Sequence, residues 1–156
     1  MPSLLAIDPG KRYVGFAYFK DGVLLKAWSS RSKYREINKA LRHLQDQNPT
    51  WGLCDEAAVE LMRADGRTPR YNDLIDVQAV GTALAARAAK RVIFYSPAQW
   101  KPSIPKSVHQ KRILSALEPR ELDAWSSKQT KDDVDAVGIG LFHLGRIDKN
   151  GTRKSD

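Results

Sequence analysis

Runs of apolar residues and short alternating segments divide the chain into predicted strands. Residues 3–8 hold four consecutive apolar side chains followed by Asp8, which is typical of a strand buried on both faces. Residues 13–19 alternate between two faces, and Lys20-Asp21-Gly22 supplies a hairpin turn to the next strand. The predicted strands are residues 3–8, 13–19, 23–28, 57–61 and 91–95.

Apolar residues at helical spacing predict four helices between and after these strands. In the first of them, Tyr34, Ile37, Leu41 and Leu44 recur every three or four residues. The predicted helices are residues 32–46, 72–89, 107–117 and 130–144, and Gly145 follows the last one as a stop signal. The predicted loops are residues 62–71, 96–106 and 119–130, and residues 148–156 are predicted to be a frayed, flexible basic tail.

This order of elements favours one class of fold. Three meandering strands followed by helix–strand alternation predict an α/β domain over residues 1–147, with a mixed five-stranded sheet and helices on both faces. The first three strands would be an antiparallel meander and the last two would be parallel. Strands one, four and five are expected to be parallel and central, because their apolar character is continuous.

Composition narrows the choice of partner and compartment. The chain has 156 residues, a formal net charge of +8 and a pI near 9.7, which favours nucleic acid over a membrane as the partner. A basic protein without such a partner is the alternative. Cys54 is the only cysteine, so no intrachain disulfide can form and a reducing compartment is expected. No signal peptide or membrane span is expected, and we predict a cytoplasmic protein, or one in the host cytoplasm if it is viral.

Two acids follow buried strands. Asp8 ends the first strand, and Glu60 lies near the end of the fourth. Because adjacent parallel strands bring their ends to one edge of a sheet, we expect the two carboxylates side by side if these strands are neighbours. The alternative for Asp8 is simple turn chemistry, since Asp-Pro-Gly is a good turn sequence.

The start of the last helix supplies more acids. Thr130 is the predicted N-cap, with Asp133 completing a capping box three residues later. Asp132 and Asp135 are spaced i, i+3 and share a helix face, where two like charges repel each other. Acids in a first turn also suit the helix dipole, so capping is the alternative role for Asp132. Asp135 lies beyond that turn, among apolar residues.

Together these acids predict a metal site. Asp8, Glu60, Asp132 and Asp135 offer only hard carboxylate oxygens, which select Mg²⁺ or Mn²⁺ over zinc. Two such ions can activate water and stabilise the leaving oxygen in phosphodiester hydrolysis. The sequence therefore predicts a nuclease.

Basic residues follow the ends of strands four and five. The predicted DNA-binding residues are Arg63, Arg67, Arg70, Tyr71, Lys101, Lys106, Lys111 and Arg112. Trp100 adds an aromatic side chain to the second of these segments. Because they lie at the edge where the acids should gather, we expect contacts to the DNA backbone. A solvated basic face is the alternative. His109 lies in the same stretch, and a phosphate contact is the less favoured role for it.

Four blocks of the sequence resemble the RuvC-type Holliday junction resolvases of the RNase H-like superfamily. They are "AIDPG" at 6–10, "VEL" at 59–61, "SPAQWK" at 96–101 and "DDVDAVGIGL" at 132–141. The resemblance covers residues 3–145. It implies an RNase H-like fold, a homodimer, and Mg²⁺-dependent paired nicking of a four-way junction in DNA recombination and repair.

The resemblance also implies roles for particular residues. The four catalytic, metal-binding acids of the family map onto Asp8, Glu60, Asp132 and Asp135, and its important lysines fall on Lys101 and Lys106. The helix at 72–89 would help form the dimer interface. Its apolar stripe consists of Leu74, Val77, Gly81, Leu84 and Ala88. Packing of this stripe on the chain's own sheet is the alternative.

One position departs from the family and leaves the substrate open. The bacterial enzymes carry an aromatic residue three positions after the second acid, where this chain has Arg63. Recognition would then rest on charge and branched shape, so forks and flaps are further candidate substrates. An RNase H-like nuclease acting on an RNA–DNA hybrid and a non-catalytic basic DNA-binding protein are the two other functions to be tested.

Overall fold

Five strands form one mixed sheet, and helices pack on it. The computed structural model describes residues 2–10, 12–31, 54–61, 71–101, 103–125 and 129–154. The strands are β1 (Leu4–Asp8), β2 (Tyr13–Lys20), β3 (Val23–Arg31), β4 (Cys54–Glu60) and β5 (Ala89–Tyr95). The helices are α1 (Tyr71–Ala88), α2 (Pro97–Trp100), α3 (Lys106–Ser115), α4 (Pro119–Ala124) and α5 (Lys131–His143).

The sheet has the predicted topology, with the order β3-β2-β1-β4-β5. Strand β1 pairs with β2 in antiparallel and with β4 in parallel orientation, and β5 is parallel to β4. The α/β fold with a mixed five-stranded sheet is therefore confirmed. The prediction that β5 is central is wrong, because β5 lies at the edge and several of its residues are exposed.

Strand β4 begins three residues before its predicted start, at Cys54. Asp55 and Glu56 precede the apolar run of this strand, so the hydrophobic pattern does not predict its first part. Both acids form cross-strand ion pairs with β5, Asp55 with Lys90 at 2.9 Å and Glu56 with Arg91 at 3.2 Å. Pairing with the neighbouring strand compensates the charges, so the strand tolerates them.

Alternate residues of β1 face opposite layers of the structure. Leu4 and Ala6 belong to the core cluster that contains the apolar side of α5. Leu5 and Ile7 belong to the second cluster, which contains Val80, Leu84, Ala85 and Ala88 of α1. Because the period of a strand is two residues, Asp8 continues the row that faces α5.

The predicted dimer stripe on α1 lies mostly inside the chain. Leu84 and Ala88 pack in the core below the sheet, Val77 is buried, and a Cβ at Gly81 would meet the Pro9 ring at 2.5 Å. The stripe therefore packs on the chain's own sheet, which was the alternative to a dimer contact.

Two predicted loops contain short helices. Residues 96–106 include α2, where the backbone N–H of Ser96 donates to the Gln99 side chain at 2.7 Å. Residues 119–130 include α4, which has Pro119 at its start and a capping box between Glu118 and Glu121. Proline at the first helical position is a sequence signal for a helix. The predicted helix at 32–46 and most of the loop at 62–71 lie outside the described residues.

Residues 148–154 belong to the segment predicted as a frayed tail. Asp148 Oδ1 accepts hydrogen bonds from the backbone N–H groups of Asn150 and Thr152 at 2.8 and 2.9 Å. Ile147 and Arg153 form a β-bridge, and Arg112 donates to the Asn150 carbonyl at 3.1 Å. These bonds fold the segment into a turn against α3.

Helix α5 is held at both ends. Near its N-terminus, a Cβ at Gly15 of β2 would lie 2.0 Å from the Asp132 carbonyl oxygen, so only glycine allows this approach. Near its C-terminus, His143 lies between the Tyr95 hydroxyl at 2.9 Å and Glu56 at 2.8 Å. These contacts fix the helix along the sheet.

Across the described ranges, none of the helices has both the length and the apolar character that crossing a membrane requires.

We expect Gly15→Ala to displace the start of α5. The added Cβ would overlap the Asp132 carbonyl, and overpacking of this kind costs about 1–3 kcal/mol of unfolding free energy. Hydrogen exchange should become faster at the amides of residues 133–135, which lie near the start of α5.

Gly145→Ala is the control for this experiment. Gly145 has a φ of 71°, but a Cβ there would meet nothing within 4 Å. Its strain should accelerate exchange only near the C-terminus of α5. Equal exchange at residues 133–135 in Gly15→Ala and in the unmodified protein would contradict the role given to Gly15.

Candidate active site

Strand register brings Asp8 and Glu60 to the same end of the sheet. Ile7 pairs with Val59 across the parallel β1–β4 ladder, so the next residue on each strand is one of the two acids. Ala58 shares the α5-facing core with Ala6, which places Glu60 on the same face as Asp8. Both acids are buried. The sheet therefore places the two acids side by side, as the sequence predicts.

Helix α5 brings two further acids to this edge. Gly15, the register partner of Asp8, lies against the backbone of Asp132. Asp135 lies one turn further into the helix and is 1% exposed, whereas Asp132 is half-buried. The four predicted acids therefore come from β1, β4 and the first two turns of α5.

Two lysines lie among these carboxylates. The Lys101 ammonium is 2.8 Å from Glu60 Oε2 and 3.5 Å from Asp135 Oδ2. Lys106 reaches the same Asp135 oxygen at 2.8 Å. The carboxylates of Glu60 and Asp135 thus converge on one ammonium nitrogen, although they lie 75 residues apart in the sequence.

The pKa values of Asp8 and Asp132 are raised above their usual range. The pKa of Asp8 is well above its usual range because the side chain is buried and because Glu60, Asp135 and Asp132 repel its charge, while Lys101 acts in the opposite direction. The pKa of Asp132 is raised mainly by burial, against the attraction of Lys106. Crowded like charges of this kind are typical of functional sites.

The pKa of the Lys101 ammonium is also raised, which favours the charged form of a lysine. Burial by itself would lower the pKa of its ammonium, but attraction to Asp8, Glu60 and Asp135 outweighs burial and raises the pKa. Lys101 therefore stays charged at neutral pH and compensates part of the negative charge.

The donor chemistry fits a divalent cation. Asp8, Glu60, Asp132 and Asp135 are the residues that could hold one, since buried carboxylate oxygens are the ligands that Mg²⁺ and Mn²⁺ prefer. In the part of the chain that the structure describes, no three or more His, Cys, Asp or Glu side chains are arranged as a ready metal-binding group. The Lys101 ammonium lies where the carboxylates of Glu60 and Asp135 converge.

Asp133 has the role predicted for it. Thr130 caps α5, and its backbone N–H donates to Asp133 Oδ1 at 2.6 Å. The Thr130 hydroxyl also bonds Asp133, and the buried Trp125 indole donates to Asp133 Oδ2 at 3.2 Å. The capping assignment is confirmed.

Trp100 and Gln110 make contacts with the acids that the sequence did not predict. Trp100 was expected in a DNA-facing segment, but its ring is fully buried and its indole N–H donates to Glu60 Oε2 at 2.8 Å. Gln110 donates to Asp135 Oδ1 at 2.9 Å and to the Lys131 carbonyl at 3.0 Å. The only signal for Gln110 was its i+4 spacing from Lys106, which places both on one face of α3.

The predicted DNA-binding residues fall into three groups. Lys101 and Lys106 contact the carboxylates, as described above. Lys111 and Arg112 are exposed on α3, and Arg112 donates to the C-terminal turn. Arg63, Arg67 and Arg70 lie outside the described residues, and Tyr71 begins α1 without a described side chain.

His109 does not face the solvent. Its ring is 4% exposed and lies 5.5 Å from the Trp100 ring. Burial lowers the pKa of the imidazole, which favours the neutral form. A phosphate contact by His109 therefore does not fit the structure.

Among solved structures, the fold of this chain is similar to that of RuvC. The chain superimposes on Thermus thermophilus RuvC in complex with a Holliday junction substrate with a TM-score of 0.60 and 17% sequence identity, covering 90% of this chain and 92% of that chain. For another T. thermophilus RuvC structure, the TM-score is 0.51 and the identity 15%, with the same coverage. The yeast mitochondrial Holliday junction resolvase Ydc2 has a TM-score of 0.48 and 14% identity over 90% of this chain and 78% of that chain.

Sequence comparisons are silent, since no protein-family model and no curated protein sequence matches the chain. The fold that the four sequence blocks imply is confirmed by its similarity to the RuvC structures over nearly the whole chain. The chain has an RNase H-like fold.

Proposed function

We propose that this chain is a divalent-metal-dependent endonuclease that cuts branched DNA, with the four-way junction as its preferred substrate. The observation that carries the proposal is the convergence of Glu60 and Asp135 on the Lys101 nitrogen beside Asp8. Asp8 and Glu60 at the ends of two parallel strands and Asp135 on α5 are all buried, which is unfavourable without a cation to compensate their charges. A cation-assisted reaction at this edge explains why they are there.

Each residue has a defined part in this mechanism. Asp8, Glu60, Asp132 and Asp135 would hold Mg²⁺ or Mn²⁺, two ions per site, which supply Lewis-acid stabilisation and lower the pKa of water. Trp100 and Gln110 hold the carboxylates of Glu60 and Asp135 through hydrogen bonds. Lys106, which is half-exposed, can exchange its carboxylate for a phosphate oxygen when DNA enters.

Charge and fold support DNA as the substrate. The net charge of +8 and the exposed Lys111 and Arg112 suit contacts to the phosphate backbone. One of the RuvC structures that share this fold holds a Holliday junction substrate. Paired nicks on opposing strands require two sites, so we include a homodimer in the proposal. The single cysteine supports a cytoplasmic location, or the host cytoplasm if the chain is viral.

One digestion panel tests this function. The protein is incubated with a four-way junction, a fork, a flap, a linear duplex and an RNA–DNA hybrid, each with Mg²⁺, Mn²⁺ or chelator. Metal-dependent nicking of the junction above the linear duplex is the expected result. Preferential cutting of the hybrid would replace the proposed substrate, and binding without any cutting would support a non-catalytic DNA-binding protein.

We expect Asp8→Asn and Asp132→Asn to abolish nicking while junction binding is kept or tightened, because each removes a negative charge near phosphate. The loss should exceed about 100-fold, since removing even a hydrogen-bond partner of a metal ligand costs about 10–100-fold. Nicking rate and gel-shift affinity are the measurements. Asp133→Asn is the matched control, because Asp133 neighbours Asp132 but caps the helix. Equal loss in Asp133→Asn would contradict the assignment of the acids.

Metal-free stability provides a second prediction for Asp8. Because the folded-state pKa of Asp8 is raised, its contribution to stability is present at low pH and is lost as the pH rises through that pKa. Asp8→Asn should therefore raise the Tm of the metal-free protein at pH 7 by a few degrees, since about 1 kcal/mol shifts the Tm by about 2–4 °C at this size. The gain should shrink as the pH falls toward about 4.

We also expect Mg²⁺ or Mn²⁺ to stabilise the unmodified protein by mass action. At a metal concentration of 100 times Kd, the gain is about 2.7 kcal/mol. Thermal melts across millimolar metal measure it, and Asp8→Asn should show a much smaller response. A Tm that does not change with metal in the unmodified protein would count against the site.

A further inference from the structure

Trp100 occupies an unusual position between an acid and a cation. Its indole N–H donates to Glu60 Oε2 at 2.8 Å, and the Lys101 ammonium is 2.8 Å from the same oxygen. The Lys101 nitrogen also lies over the Trp100 ring, 4.4 Å from its centroid. One indole thus contacts the carboxylate through its edge and the ammonium through its face.

The ring has little freedom to tilt away from these partners. Trp100 is fully buried. On one side, a Cβ at Gly138 of α5 would lie 2.8 Å from Trp100 Cζ3. On another side the His109 ring packs at 5.5 Å. Close packing on both sides fixes the direction of the indole N–H.

His109 is itself supported by the C-terminal turn. A Cβ at Gly151 would lie 3.1 Å from His109 Cδ2. Among the residues that the structure describes, His109 Nε2 has no hydrogen-bond partner. The neutral imidazole of His109 packs between the C-terminal turn and the Trp100 ring. Trp100 in turn contacts Glu60.

We propose that Trp100 is a positioning residue that keeps Glu60 oriented while a divalent cation replaces the Lys101 ammonium. This inference rests on the proposed function. Oε2 of Glu60 has two donors, and entry of a metal ion between the acids requires Lys101 to withdraw. Because the indole is neutral, it does not repel the metal ion as an ammonium would. Its hydrogen bond to Glu60 therefore persists while the metal ion replaces Lys101. Without it, the carboxylate could rotate about its terminal bond at that step.

The chain contains a matched control for this role. The indole of Trp125 is also buried and also donates to a carboxylate, Asp133 Oδ2, at 3.2 Å. Asp133 caps α5 and is not among the proposed ligands. Replacing either tryptophan by phenylalanine removes a buried N–H donor to a carboxylate and keeps an aromatic ring.

The test compares the metal dependence of Trp100→Phe and Trp125→Phe. For each protein, the Mg²⁺ concentration at half-maximal junction nicking and at half-maximal Tm gain is measured. We expect both midpoints to rise by about 10-fold in Trp100→Phe and to stay within about 2-fold of the unmodified protein in Trp125→Phe. A merely structural role of Trp100 would lower the metal-free Tm in both variants and leave the midpoints unchanged.

A measurement on the unmodified protein keeps the inference testable if Trp100→Phe does not fold. The indole proton of Trp100 should stay protected from solvent exchange with and without Mg²⁺, with Trp125 as the internal reference. Loss of this protection in saturating Mg²⁺ would overturn the inference, as would unchanged midpoints in Trp100→Phe. An unmodified protein that neither binds metal nor nicks DNA would contradict the proposed function itself, whereas a metal-dependent nuclease with an unaffected Trp100→Phe variant would contradict only this inference.

Discussion

Electrostatic compensation at the carboxyl ends of β1 and β4 is the constraint on which the rest of the site depends. Asp8, Glu60 and Asp135 are buried next to one another, and desolvated like charges destabilise a fold unless opposite charge is near. Lys101 and Lys106 supply that charge through contacts of 2.8–3.5 Å. In the proposed function, metal and phosphate would take over from these ammonium groups.

The scaffold serves to keep these charges in place. Helix α5 crosses the face to which Asp8 and Glu60 point, and it is fixed at one end by Gly15 and at the other by the contact of His143 with Tyr95 and Glu56. Helix α1 covers the opposite face with an apolar core. Because both ends of α5 are anchored, Asp132 and Asp135 cannot relax away from Asp8 to relieve their repulsion.

The two buried tryptophans make the same kind of hydrogen bond in two different surroundings. Trp125 and Trp100 each donate an indole N–H to a carboxylate. The first stabilises a helix cap, where Asp133 belongs to the local backbone geometry of α5. The second acts on Glu60, whose burial and cation contact connect it to the proposed chemistry. The surroundings of the carboxylate, and not the hydrogen bond itself, separate a structural role from a functional one.

The sequence alone determined the five strands, helices α1, α3 and α5 and the positions of the acids, because strand alternation, helix periodicity and capping act between residues close in the chain. Asp8 and Glu60 at strand ends and Asp133 in a capping box were all evident at that level. Only the tertiary structure decided what depends on packing between distant segments. The edge position of β5, the burial of the α1 stripe and the contact of Trp100 with Glu60 follow from which surfaces meet, and no local pattern encodes that choice.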